Sequence, residues 1–518
     1  MISKVFQLVL LAAVVSSFVV VSATGMAQEQ VQTNAEITVA DAHDISPPVR
    51  SMPLVAPRQN QVVIPLHRRP GAPIVGNGFD DVLQTLPMAR VGTTNVLSFN
   101  GINDRDGVAP PDTNASVGAT QVVETVNTSY QVFNKTTGAS ILGPREVSSI
   151  FTGLSGACGS AANAFSDPVV LYDKAAGRWL VTILASNNGF ATGVECIAVS
   201  RTNDATGSYA RYSFSFGSNL PDYPKFGVWP DAYYASYNIF GNGAARACAY
   251  NRAAMLAGTS ASSVCFQRSL PDFSLLPSDL DGATLPPTGT PNFFVELGTS
   301  TTLKLFKFHV NFSGGSTFTG PTTLTVSSYS EACGGGTCIP QSGTTTQLDS
   351  LADRLMFRLP YRKIGTQESL LATHSVKATG VASAVRWYEI RNPSTTPKIF
   401  QQGTFTVTGK AAWMGSIGMD QMGNIALGFS QSSSTTHPGI AYTGRIPTDP
   451  LGPMESPFTV ITGGGSQNGG LTRWGDYSSM SIDPQDDCTF WYAQEYIPSN
   501  GSFNWNTHLN SFHFANCT

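Results

Sequence analysis

Short, turn-bounded runs of alternating apolar and polar residues recur along this 518-residue chain at nearly constant spacing, and no other feature restricts the fold as much. The recurring units open near Asp112, Asp167, Asp231, Pro291, Asp353, Asp420 and Asp483, with successive gaps of 55, 64, 60, 62, 67 and 63 residues. Each unit holds about four strand-length runs. In one of them, residues 167–173 turn through 174–177 into 178–182, and 195–200 and 210–216 supply a second hairpin. A four-stranded sheet on its own leaves apolar faces in water, so such units stack radially and the ring closes. The expectation is an all-β fold, a β-propeller of seven four-stranded blades. Six or eight blades also fit, because 259–345 is the least regular stretch. A single sandwich would need only about seven to nine strands in all.

Composition agrees. Charged residues make up 12% of the chain, against about 25% in an average globular protein. The 50 Gly and 32 Pro favour turns over long helices. A net charge of −4 with no run of Lys or Arg leaves no electrostatic footprint for nucleic acid.

Residues 1–27 read as a secretory signal, with Lys4 before an apolar core at 8–21 and Gly25-Met26-Ala27 as a cleavage site. The rival reading is an uncleaved anchor, since 6–23 nearly suffices to span a bilayer. With the signal removed, no span remains, and a secreted or cell-surface (or periplasmic) monomer is expected. Residues 28–95 lack periodicity and form an irregular leader, expected to lie over the main domain. A propeptide cut at Arg68-Arg69 is the alternative. The propeller then occupies 96–518, with 96–100 pairing into the last blade.

Eight cysteines, an even number, imply disulfides in an exported chain. Their order suggests the local pairs Cys158–Cys196, Cys248–Cys265, Cys333–Cys338 and Cys488–Cys517, although sequence alone leaves other connectivities open. Zinc-site spacing is missing: the chain has no CxxC and no HExxH. Walker A and nucleophile-elbow patterns are missing too.

Five segments taken together carry a resemblance: PPDTN at 110–114, DPVVLYD at 167–173, DYPKFGVWPD at 222–231, DRLMFRLPYR at 353–362 and RWGDYSSMSIDP at 473–484. They resemble a group of secreted bacterial propeller proteins, mostly without assigned activity, akin to the sialidase-like (BNR, Asp-box) superfamily. An Asp-box makes its turn between two outer strands. Ser481, Asp483 and Trp491 keep parts of one such box, and Asp420 and Gly423 parts of another.

The resemblance implies a glycoside hydrolase as one function. An arginine fork suits a substrate carboxylate, and the candidates are Arg354, Arg358, Arg386 and Arg473. Tyr477 and Glu495 would form a nucleophile pair, and Asp112 or Asp476 an acid. The structural alternative is that Arg354 and Arg473 tie blade to blade around the channel. Aspartates at 112, 167, 231 and 476 serve equally as acid/base groups, calcium ligands or turn caps. Asp104, Asp106, Asp112 and Asn114 place oxygens two residues apart, as calcium sites often do. Trp229, Trp413 and Trp474, with Asp231 and Arg358, are candidates for binding a ligand, by stacking on sugars in the case of the tryptophans. Packing between blades is the competing role. The first function expected is binding of extracellular glycans or similar ligands at the channel face. Glycoside hydrolysis and a protein-binding scaffold are the alternatives.

Overall fold

The computed structural model describes residues 30–57, 60–85, 88–89, 92–160, 163–187, 191–240 and 244–518. The signal and its anchor alternative lie outside these residues.

Antiparallel four-strand units follow one another along the chain, each starting at the axis and stepping outward. Seven first strands are present among the described residues: Asn114–Val117, Ala164–Asp173, Leu220–Val228, Leu276–Leu280, Leu359–Ile364, Ala411–Met419 and Ser479–Ile482. Each packs against the first strand of the next unit, and the seventh packs against the first. This closed ring makes the protein a β-propeller. Between the fourth and fifth units the contact becomes a parallel pairing, Ser278 opposite Leu359 and Leu280 opposite Tyr361, so two units fuse into one sheet.

The ring closes as expected. Thr93–Asn103 forms the outer strand of the seventh unit against Asn506–Phe514, with Leu97 opposite Ser511. The disulfide Cys488–Cys517 lies at the same seam, and the other three bridges join Cys158–Cys196, Cys248–Cys265 and Cys333–Cys338. Four disulfides in one chain suit an oxidising compartment outside the cytoplasm. Among the described residues no helix is long and apolar enough to cross a membrane.

The leader is more regular than its sequence suggests. Val31–Gln32, Glu36–Val39 and Ala42–Ile45 add outer strands to the fourth, third and second units in turn. Ile37, Val39 and Ile45 stay exposed. These strands are held by backbone hydrogen bonds along an edge and bury little, which is why alternation gives no signal there. Further on, Val62–Val63 pairs in parallel with Val108–Ala109, carrying the leader onto the axis.

Two expectations change in detail. The aspartates chosen as repeat markers fall at opposite ends of the first strands. Asp112 and Asp167 stand where first strands begin, whereas Asp231, Asp420 and Asp483 follow first strands at their far ends. The Asp-box reading also shifts: Asp420 accepts the amides of Met422 and Asn424 in the turn between the first and second strands of its unit, not between outer strands.

Candidate functional site: an axial cluster under the leader

Where the first strands begin, the backbone repeats one unusual conformation. Asp112, Asp167, Tyr223, Ser274, Met414 and Asp476 have φ of 52°, 55°, 56°, 52°, 53° and 62°. In the second, third and sixth units a register shift accompanies it, between Ser166 and Val169, Asp222 and Lys225, and Trp413 and Ser416. A left-handed residue costs little for aspartate, whose short polar side chain bonds locally, and more for tyrosine or methionine. Such conformations persist where the surroundings over-determine them, and they concentrate at functional sites.

These positions collect charge at one mouth of the axis. Asp112, Asp167 and Asp476 act on one another and on Lys225, which is completely buried. Lys225 Nζ donates to the Pro224 carbonyl at 2.9 Å and lies 3.5 Å and 3.8 Å from the ring centres of Tyr223 and Tyr477. Burial pulls its ammonium down to about 8 against the pull of the three aspartates. Burial, followed by Asp222, pushes Asp167 up to about 7. Burial, then Asp476 and Asp167, pushes Asp112 well above the ordinary carboxylate range, and no protein donor reaches either of its oxygens. Glu495 accepts the Gly475 amide at 2.8 Å on Oε2, has no donor on Oε1, and is also raised by burial.

Two arginines complete the cluster. Arg473 grips Asp476 with both Nη atoms, at 2.5 and 2.7 Å, and its Nε donates to the Ile64 carbonyl at 3.0 Å. Arg354 donates to Asp353 at 2.8 and 3.1 Å, and its Nη2 also reaches the His67 carbonyl at 2.7 Å. Both leader carbonyls therefore sit on guanidinium donors of the mouth. His67 is 3.4 Å from Asp222 and stacks on Phe240, and the Arg69 amide donates to Asp353 at 2.7 Å. The leader thus lies across the mouth as a cover.

All six residues expected to be catalytic (Asp112, Arg354, Arg473, Asp476, Tyr477 and Glu495) meet in this cluster. Tyr477 is raised by burial and neighbours Asp112 and Asp167, and its hydroxyl donates to the Pro168 carbonyl at 2.9 Å. The expected ligand-binding residues lie elsewhere or present no free face. Trp229 is buried against Phe293 and Tyr361, and Trp413 packs on Trp474 with ring centres 5.6 Å apart. Fully buried rings leave no surface for a sugar to stack on, so packing is their role. Arg358 binds Asp279 and Asp281, each at 2.6 Å, near the far mouth, where Asp231 also sits beyond its first strand. Arg386 pairs with Asp80 of the leader.

Of the oxygens expected to hold calcium, some accept protein donors, while Asp104 Oδ2, Asp106 Oδ1 and both oxygens of Asp112 accept no protein hydrogen bond. Asp104 caps the Gly107 amide, Asp106 accepts the hydroxyls of Thr128 and Ser129, and Asn114 accepts the Val170 amide. Among the described residues no group of three or more His, Cys, Asp or Glu is arranged to hold a metal ion.

Sequence reasoning passed over Lys225, Tyr223, Asp222 and His67. A lysine flanked by aromatic residues inside an apolar strand, as in 222–229, was the available signal.

No family model matches the chain. No curated protein matches it either. Solved structures with similar architecture include a phage phi92 endosialidase (7% identity, 82% of this chain and 70% of that one, TM-score 0.40). Others are the Dos1 propeller (6% identity, 81% and 95%, TM-score 0.38) and the WD40 domain of SCAP from fission yeast (10%, 91% and 98%, TM-score 0.34). The propeller assignment rests on the closed ring of first strands; these likenesses add no argument about chemistry.

Proposed function

We infer that the protein binds the hydroxyl groups of an extracellular glycan at the leader-covered mouth of its axis. The observation carrying this reading is Asp112, a buried carboxylate with no protein donor to either oxygen. A buried acceptor left bare costs about 1–3 kcal/mol, and sugar hydroxyls are well suited to supply the missing donors. Glu495 Oε1 offers another acceptor. Withdrawal of leader residues 62–69 would free Arg473 Nε and Arg354 Nη2, now occupied by the carbonyls of Ile64 and His67. Those donors would then meet the ligand's oxygens.

A second reading, glycoside hydrolysis, draws on the difference between two of the aspartates. Asp112 is held toward its neutral form by burial, while the Asp476 carboxylate is gripped by Arg473. A proton donor beside a carboxylate is the arrangement such hydrolysis uses.

The test is a glycan array of the intact protein run beside a panel of chromogenic glycosides. Asn tolerates the left-handed backbone at position 112, so Asp112→Asn alters the donor chemistry with little strain. Glycan binding that weakens at least about tenfold in that variant supports the axial site, and unchanged binding overturns it. Chromophore release abolished by both Asp476→Asn and Arg473→Ala supports hydrolysis. Silence in both assays favours the protein-binding scaffold.

A further inference from the structure

A cleft of about 340 Å³ opens between the fifth and sixth units, near the ends of their first strands and away from the leader-covered mouth. Its lining combines three arginines with one glutamate and a rim of apolar side chains. Ile364, Met422 and Leu451 on that rim are 38%, 52% and 57% exposed, an unusual grouping of large apolar residues in water.

The charges are not all spent. Arg445 is 2% exposed, and its Nη2 donates to the carbonyls of Asp449 and Pro450 at 2.8 and 3.1 Å, but its Nε has no acceptor in the protein. A buried guanidinium N–H without an acceptor is costly, and such groups call for a ligand or water. Arg391 stands nearby with its guanidinium carbon 3.2 Å from the centre of the Phe400 ring. Its Nε is fixed by Glu389 at 2.6 Å. Glu389 also takes Ser369 on the same oxygen and Gln401 on the other. It positions Arg391 through that bond. Arg362 gives its donors to the Met419 carbonyl and to Asp487, and contributes only field.

We propose that this cleft binds a small organic acid, its carboxylate held by Arg445 and Arg391 and its apolar body laid against Ile364, Met422 and Leu451. A guanidinium fork matches a carboxylate in geometry as well as charge. The volume falls in the usual range for small-ligand sites, about 300–1,000 Å³. Nothing in this site depends on the glycan reading, because it shares no residue with the axial cluster.

Isothermal titration of the intact protein with benzoate, and with benzamide as its uncharged counterpart, tests the proposal. A short apolar peptide ending in a free carboxylate, beside its amide, separates a free acid from a chain terminus as the source. The expected result is binding of the acids, weaker or absent binding of both amides, and at least about tenfold loss, ~1.4 kcal/mol, in Arg445→Met. Arg391→Met, a change at a partly exposed side chain, provides the same readout without disturbing the buried wall. The tighter of the two acids names the source. Equal binding of acid and amide, no binding of either acid, or acid affinities unchanged in both variants would overturn the proposal.

Discussion

At the scale of single residues, buried carboxyl groups in and outside the axial cluster make stability depend on pH with a defined sign. Asp167 and Asp104 are each pushed up to about 7, and Glu124 to about 8, chiefly by burial. A carboxyl group whose folded value is raised adds stability while protonated, and that contribution is lost as pH rises from its unfolded value through its folded one. The melting temperature is therefore expected to fall between pH 4 and 8. Each such group contributes a slope of at most about 1.4 kcal/mol per pH unit. Asp167→Asn should flatten this descent, as thermal scans across the range will reveal. Lys225 is the complementary case. Replacing it with methionine leaves Asp112, Asp167 and Asp476 without their shared buried cation. Loss of one partner from a buried charge group typically costs about 3–5 kcal/mol, so chemical denaturation of Lys225→Met should show a loss of that order, largest at about pH 7, where Asp167 is ionising and Lys225 still holds its proton.

At the scale of elements, the seventh unit owes its fourth strand to a segment from the other end of the chain, and Cys488–Cys517 fixes its last hairpin. Cys488→Ser is expected to cost about 2–5 kcal/mol and to raise hydrogen exchange first along Asn506–Phe514. Removing residues 30–46 should leave the ring intact while exchange rises in Ser262–Gln267 and Tyr209–Ser215, the edges those leader strands cover. If exchange there stays unchanged, the leader strands do not shield them. The ring, its seam and the disulfide pairs were legible in the sequence because alternation and cysteine order are local signals. The phase of the repeat was not. Asp420 caps a turn and Asp476 occupies a left-handed residue before a strand, and spacing alone does not distinguish these two local uses of aspartate. Lys225 escaped notice because a lysine in a strand usually faces solvent, whereas here tertiary packing folds it between two tyrosine rings. For the tryptophans both roles stood open in the sequence, since nothing in composition separates a ring that stacks on a ligand from one that fills the space between units.

At the scale of the whole molecule, the leader joins the rim of the propeller to its axis. The Arg68 side chain is 49% exposed, while Arg69 beside it is tied to Asp353 and Glu331. Brief trypsin treatment of the native protein is therefore expected to cut after Arg68 before it cuts within the ring, as mass spectrometry of the fragments will establish. If the axial reading holds, the nicked protein should bind glycans more tightly than the intact one, because the carbonyls covering Arg354 and Arg473 are then free to leave. The path of the leader also carries a consequence for how the chain assembles. Its strands meet the fourth, third and second units in that order, against the direction in which those units are synthesised. Partners therefore become available to the leader from its C-terminal end backward, and Thr93–Asn103 finds its place only when the final residues arrive. Thr93–Asn103, made before the other strands of the ring, is the last to be seated, so a chain stalled partway through translation or export carries its own unpaired strand as a mark of incompleteness.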